Sequence, residues 1–336
     1  MIYFDNAASE PLSKEARKML KRLMKCHIGN PSSLHNYGLF AHVLIEQSRN
    51  TIAELLHCKP VEIIFTSGAS ESNSMICHSA PRFTTDGTNH DSIELGKKDK
   101  VGKQKEWKLI TLVNNETGLD KFGELLMMKP YDNEWIHVDA TQYIGKHPID
   151  LSKYKQITSM SFSGHKFGAL PGTGVLFVRE EKQKLLNPVI YGTQERYLRG
   201  GTENVFGIAS MAIALLECYT HMDEWNEHVD KIGEYLKDKI NNRKATYNNG
   251  ILNITFNYVT AELAVKVLNE MGVCVSSGSA CRSGHDTPSQ SFIAAGLDEG
   301  EALRTIRVSF SHHNTLLEAK IFYRKLMKFI DDYDTI

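Results

Sequence analysis

The sequence predicts an α/β fold: a large domain on a mainly parallel sheet, followed by a smaller α+β domain. Short apolar runs at 62–66, 110–113, 135–138, 157–162 and 175–178 alternate with helix-period segments, the pattern of a sheet covered by helices on both faces. A long helical stretch from residue 204 to about 243 then changes the pattern. Beyond it, strand-like runs at 251–256, 273–276 and 305–310 are separated by helical runs near 261–271 and 288–295, and a helix from 315 closes the chain. At 336 residues and 41% apolar content, the length suits one large domain and one smaller one. The expected division is 14–222 for the large domain, with 1–13 and 223–336 forming the small one. No internal repeat or low-complexity segment is visible.

Composition narrows the function classes. With 39 basic against 40 acidic residues, no basic surface favours nucleic acid and no acidic tail is present. The lysine-rich run at 97–105 reads as a solvated loop. The N-terminus, Met1-Ile2-Tyr3-Phe4-Asp5, lacks the basic region and apolar core of a signal peptide, and no run approaches membrane-spanning length. A cytoplasmic enzyme with no membrane partner is therefore expected. The six cysteines form no C-x-x-C pair, so neither a disulfide framework nor a structural zinc site is signalled. Five of them, Cys26, Cys58, Cys77, Cys218 and Cys274, are expected to be buried as small apolar side chains.

The chemistry is concentrated at strand ends. Ser161-Phe162-Ser163-Gly164-His165-Lys166 closes an alternating apolar run and precedes a glycine-rich turn, so Lys166 falls in a strand-end loop, where sites usually lie. Asp139, in His137-Val138-Asp139-Ala140-Thr141-Gln142, ends another strand of the same sheet. Taken singly, each is an ordinary surface charge. Together, a lysine able to form a Schiff base and an acid able to hold a pyridinium proton are the pair that a pyridoxal phosphate enzyme needs. Thr66-Ser67-Gly68-Ala69-Ser70-Glu71-Ser72-Asn73 follows a strand and opens a helix, where backbone amides and the Ser70 hydroxyl can cradle a phosphate. Asn114-Asn115-Glu116-Thr117-Gly118, Arg199-Gly200-Gly201-Thr202-Glu203-Asn204 and Ser276-Ser277-Gly278-Ser279-Ala280-Cys281 are turn-like, and each alone is a weak signal.

In order and spacing, these motifs resemble the NifS/IscS-like cysteine desulfurases of the class V aminotransferase group. The resemblance runs from Asp5-Asn6-Ala7-Ala8 and Gly29-Asn30-Pro31-Ser32-Ser33-Leu34-His35 to Arg307, nearly the whole chain. It implies fold type I of the pyridoxal phosphate transferases, with a sheet of seven-stranded type. The interval from His90 to Asn115 is shorter than in relatives, so the sheet is expected to be one strand poorer or to have one edge covered by loop. The basic run from Gly96 to Lys105 is expected to be mobile at the surface.

The resemblance also implies roles. Lys166 would hold the cofactor covalently, Asp139 would pair with its ring nitrogen, and Gln142 and Asn115 would contact its ring oxygen, Asn115 also facing substrate. Ala69, Ser70, Ser163 and His165 would hold the phosphate, with Thr202 reaching it from the other subunit of a homodimer. His90 would stack on the ring and move protons, the alternative being a plain loop histidine. Arg307 stands in an apolar strand, where a clamp on the substrate carboxylate or a structural salt bridge would explain it. Cys281 would take the sulfur of L-cysteine as a persulfide for a sulfur-acceptor protein, with Arg282 favouring its thiolate. That chemistry would serve iron-sulfur cluster assembly, tRNA thiolation or a related pathway. A selenocysteine lyase could use the same residues. Ser9-Glu10, where relatives tend to have two threonines, and Ser70 in place of threonine also leave room for a degenerate cofactor-binding partner protein.

Overall fold

In the computed structural model, residues 1–96, 107–128, 135–240, 244–278 and 288–335 are described. Contacts divide the chain into two units, Met1–Glu10 with Val113–Asp120 and Asp223–Ile336, and Pro11–Leu112 with Lys121–Met222. Residues 113–120, which the sequence-based division put in the large domain, thus cluster with the smaller unit. Asn253 Nδ2 donates to Glu116 O at 2.8 Å, and Asn249 Nδ2 to Gly118 O at 2.7 Å.

The strands, in chain order, are β1 (Ile2–Tyr3), β2 (Ile63–Thr66), β3 (Phe83–Thr84), β4 (Trp107–Thr111), β5 (Trp135–Asp139), β6 (Ser159–Ser163), β7 (Gly174–Val178), β8 (Ala245–Asn248), β9 (Ile251–Thr255), β10 (Val273–Cys274) and β11 (Thr305–Ser309). The larger unit holds a sheet of order β2-β7-β6-β5-β4-β3, in which only β7 runs against its neighbours. Every residue of β5, β6 and β7 is buried, β7 as a continuous apolar run and β5 and β6 with polar side chains enclosed among the apolar ones.

Among the described residues this sheet has six strands. Between His90 and Asn115 the described chain carries only the short helix Asp91–Glu94 and β4, while residues 97–106, including most of the run expected to be mobile, lie outside the description. The strand expected at 110–113 begins earlier, because Trp107 stacks on Trp135 at 3.9 Å and extends the β4–β5 pairing toward the start of both strands.

The smaller unit contains the parallel pair β1–β10 and the antiparallel sheet β11-β9-β8. Phe4, Leu252, Ile254, Ile306, Val308, Phe322 and Phe329 are part of its core. The sequence reading missed β8, although Asn249-Gly250 is a strong hairpin signal. Both residues are left-handed, with φ of 49° and 74°, as a two-residue turn between β8 and β9 requires.

The helix Val205–Lys239 corrects the expectation that no run reaches membrane-spanning length, since it is long and apolar enough to qualify. Ile208, Met211, Ala214 and Leu215 on it are nonetheless packed inside the protein. The expected burial of five cysteines holds only for Cys77 and Cys218. Cys58 and Cys274 are half-buried and Cys26 is exposed, since it follows the end of helix Lys14–Leu23. Burial pushes the Cys58 thiol up to about 12, so it is inert.

Candidate active site

Two neighbouring parallel strands place the central pair. In β5 and β6, Asp139 pairs in register with Ser161, so Asp139 ends one strand while the adjacent strand runs on to Ser163 and the short turn Gly164–Lys166. Residues at these C-terminal ends project from one edge of the sheet, the usual place for a ligand in an α/β fold. His165 and Lys166 are half-buried. Burial, followed by the neighbouring Lys166, pushes the His165 imidazole down to about 4. At neutral pH it is therefore an uncharged ring.

Asp139 is only 3% exposed. Its carboxylate accepts from Asn73 Nδ2 at 2.8 Å and from the Thr141 amide at 3.0 Å. Among the described residues, no cation lies within ion-pair distance of it. A buried carboxylate held only by neutral donors is costly, and a protonated ring nitrogen would relieve that cost. The donor set therefore fits a pyridoxal phosphate ring.

Behind Asp139 lies a polar chain that sequence reading missed. Asn73, on the helix Ala69–Ser79, is fully buried and directs its amide nitrogen to Asp139 and, at 2.9 Å, to Ser92 Oγ. Its oxygen receives His137 Nε2 at 2.9 Å and Ser161 Oγ at 2.5 Å. His137 Nδ1 faces Ser159 Oγ at 2.8 Å, and that hydroxyl accepts from Trp135 Nε1 at 2.7 Å. These partners set the direction of every bond from Trp135 through Ser159, His137 and Asn73 to Asp139, with His137 carrying its proton on Nε2. Burial pushes the His137 imidazole down to about 4, opposed by the Asp139 charge, so the ring in the middle of the chain stays neutral. The period-2 placement of His137 and Asp139 on one strand face was the available signal; the reach of Asn73 from the helix had none.

The same network touches His90. This residue caps the helix Asp91–Glu94, its Nδ1 accepting from the Ser92 amide at 3.2 Å and lying 2.9 Å from Ser92 Oγ. With Nδ1 an acceptor, the neutral ring carries its proton on Nε2. A capping role and a proton-handling role are compatible, because they use different nitrogens.

Ser163 and Ala69 meet directly, the Ala69 amide donating to Ser163 Oγ at 2.7 Å. Ser70 is exposed at the head of the eleven-residue helix Ala69–Ser79. A Cβ on Gly174 would sit 2.5 Å from the Gly68 Cα, so backbone alone fits between β7 and this helix start. Amides at a helix N-terminus beside a serine hydroxyl can take a phosphate. Gln142 is buried and accepts from Lys146 Nζ at 3.0 Å, while Thr202 is exposed on the larger unit. The His35 side chain caps the helix Asn36–Leu56, accepting from the Gly38 amide.

Asn115 and Arg307 belong to the smaller unit. Arg307 is 1% exposed; its Nη1 donates to Asn115 O at 2.8 Å and its Nη2 to Asp5 Oδ1 at 2.7 Å. Its Nε is buried with no hydrogen-bond partner among the described residues. The structural salt bridge weighed for Arg307 is thus present, and one donor remains over. In its own strand, Arg307 exchanges backbone bonds with Ser276, which leads in sequence toward Cys281. Cys281 and Arg282 lie outside the described residues.

The class-V aminotransferase family model matches residues 2–98 and 96–322. Over 364 residues the chain is 33% identical to cysteine desulfurase IscS of Shewanella loihica, an alignment covering 94% of this chain and 89% of that protein. Among solved structures, a NifS-like protein from Rickettsia africae matches at TM-score 0.89 and 26% identity, covering 98% of this chain and 99% of that one. SspA in complex with cysteine matches at TM-score 0.74 and 27% identity, covering 94% and 100%.

Proposed function

Because the chain belongs to the class-V aminotransferase family, among the IscS- and NifS-like cysteine desulfurases, we propose that it converts L-cysteine to L-alanine and passes the sulfur to its own Cys281. Its fold is the fold type I of pyridoxal phosphate enzymes, and pyridoxal 5′-phosphate is its cofactor. The observation that carries this reading is the buried Asp139 carboxylate, held among the described residues by neutral donors, one strand away from the loop of Lys166.

When bound, the cofactor supplies an electron sink for the substrate carbons. Lys166 would hold its aldehyde carbon, Asp139 its ring nitrogen, and Gln142 and Asn115 its ring oxygen. Ser70, Ser163, the Ala69 region and a neutral His165 would hold its phosphate, joined by Thr202 from a second subunit of a homodimer. Arg307 would orient the substrate carboxylate. Lys166 takes the Cα proton, and His90 handles a proton at Nε2, the nitrogen not occupied by capping. The Cys281 thiolate attacks the substrate sulfur; an S–S bond forms as the Cβ–S bond breaks, and the carbon is then protonated to give alanine. The persulfide serves an acceptor protein in the cytoplasm.

Purified holoenzyme with L-cysteine and a reductant should release alanine and sulfide in equal amounts. Cys281→Ala should bind L-cysteine yet form no persulfide and little alanine, whereas Lys166→Ala should lose the visible absorption of lysine-bound cofactor while staying folded. Unchanged alanine release by Cys281→Ala would overturn the sulfur-transfer step. Activity confined to selenocysteine would replace the reading by a lyase.

A further inference from the structure

The departure at Ser9-Glu10 finds its counterpart in another part of the smaller unit. Glu10, His312 and His313 each present a donor atom, all within 4.8 Å of one another. Glu10 Oε1 lies 3.4 Å from His312 Nδ1, and the Glu10 side chain is only 9% exposed. Among the described residues no hydrogen bond reaches that carboxylate, and His312 is its sole ion-pair partner. A carboxylate so enclosed wants a cation.

We propose that Glu10, His312 and His313 bind a divalent transition-metal ion of the Zn²⁺ type. Two imidazoles and one carboxylate form a donor set suited to such an ion, with a fourth position left for water. Bonds of about 2.0–2.1 Å place tetrahedral ligands about 3.3 Å apart, close to the observed Glu10–His312 separation. His313 is exposed and its ring lies tilted against that of His312, centroids 3.9 Å apart, which keeps the two imidazoles side by side next to Glu10.

The backbone on both sides is already fixed. Asn314 Oδ1 accepts from the Ser311 amide at 2.9 Å and from Asn6 Nδ2 at 3.0 Å, which ties the histidine-bearing turn to the N-terminal segment. Tyr3 Oη donates to Ser9 O at 2.8 Å, just before Glu10. His312 is pinned by stacking on Trp225, ring centroids 3.4 Å apart and planes at 6°. An ion here would clip the segment carrying Asp5, the partner of Arg307, to the turn after β11. Closing so long a loop favours the folded state.

The test uses chelator-treated, dialysed holoenzyme in a Cys281→Ser background, titrated with Zn²⁺ and separately with Cu²⁺, whose paramagnetism quenches nearby tryptophan. One equivalent of Zn²⁺ should bind and raise the melting temperature, and Cu²⁺ should quench emission by a component absent from Trp225→Phe. Glu10→Gln and His313→Asn should each weaken Zn²⁺ binding at least tenfold. His313→Asn keeps the test secure should Glu10→Gln fold poorly, because residue 313 is exposed. Sub-stoichiometric binding, or binding that neither substitution weakens, would overturn the proposal.

Discussion

Asp139 and Asp5 are both acidic residues at the ends of short strands, yet they are held in opposite ways. Asp139 is satisfied by an asparagine amide and a backbone N–H, and among the described residues its charge meets no cation. Asp5 faces the Arg307 guanidinium at 2.7 Å, and the pair largely neutralises itself. A carboxylate kept uncompensated at the expense of stability is prepared for a cationic ligand; one already paired is holding an arginine in place.

The sharpest break of this comparison comes from Asp139→Asn, which keeps the shape and removes the charge. It should lower kcat/KM for L-cysteine by about 10²–10³-fold, while urea unfolding of the cofactor-free protein shows only the loss of one hydrogen bond, about 1 kcal/mol. Asp5→Asn should do the reverse, costing about 3 kcal/mol in the same unfolding experiment because it leaves the Arg307 charge buried and unpaired. Equal stability losses in the two variants would dissolve the distinction.

His137 sharpens it through pH. Its folded value near 4 lies below the ordinary 6.5, so between these values the unfolded chain binds a proton that the folded chain refuses. Stability is therefore full above about pH 6.5 and falls as pH drops toward 4, by up to about 3 kcal/mol, with His165 acting in the same direction. His137→Gln should flatten this acid limb, measured by urea midpoints across pH. A limb of unchanged steepness would show that His137 does not titrate as its burial requires. The smallest effect is expected of Asn73→Ala, about 2 kcal/mol for leaving His137 and Asp139 each short of a partner. A shift in the pH dependence of cofactor absorption in the same variant would show that the chain reaches the ring.

The alternation of apolar runs and helical segments was enough to read the α/β class, because a strand buried on both faces has to be apolar and a covering helix has to be amphipathic. Lys166 and Asp139 were legible for a related reason: each ends an apolar run, and strand ends of one sheet share an edge. Residues 107–109 were not legible, since two stacked tryptophans depend on which strands become neighbours, whereas β8 carried a local mark, the Asn249-Gly250 turn, that the reading passed over. Asn73 was invisible as a member of the site, because a polar residue in a helix has no sequence mark that distinguishes an exposed face from one pressed against β5. Glu10 and His312 stand some three hundred residues apart; only the fold decides that their donor atoms meet, because proximity across a loop is a property of packing and not of local preference.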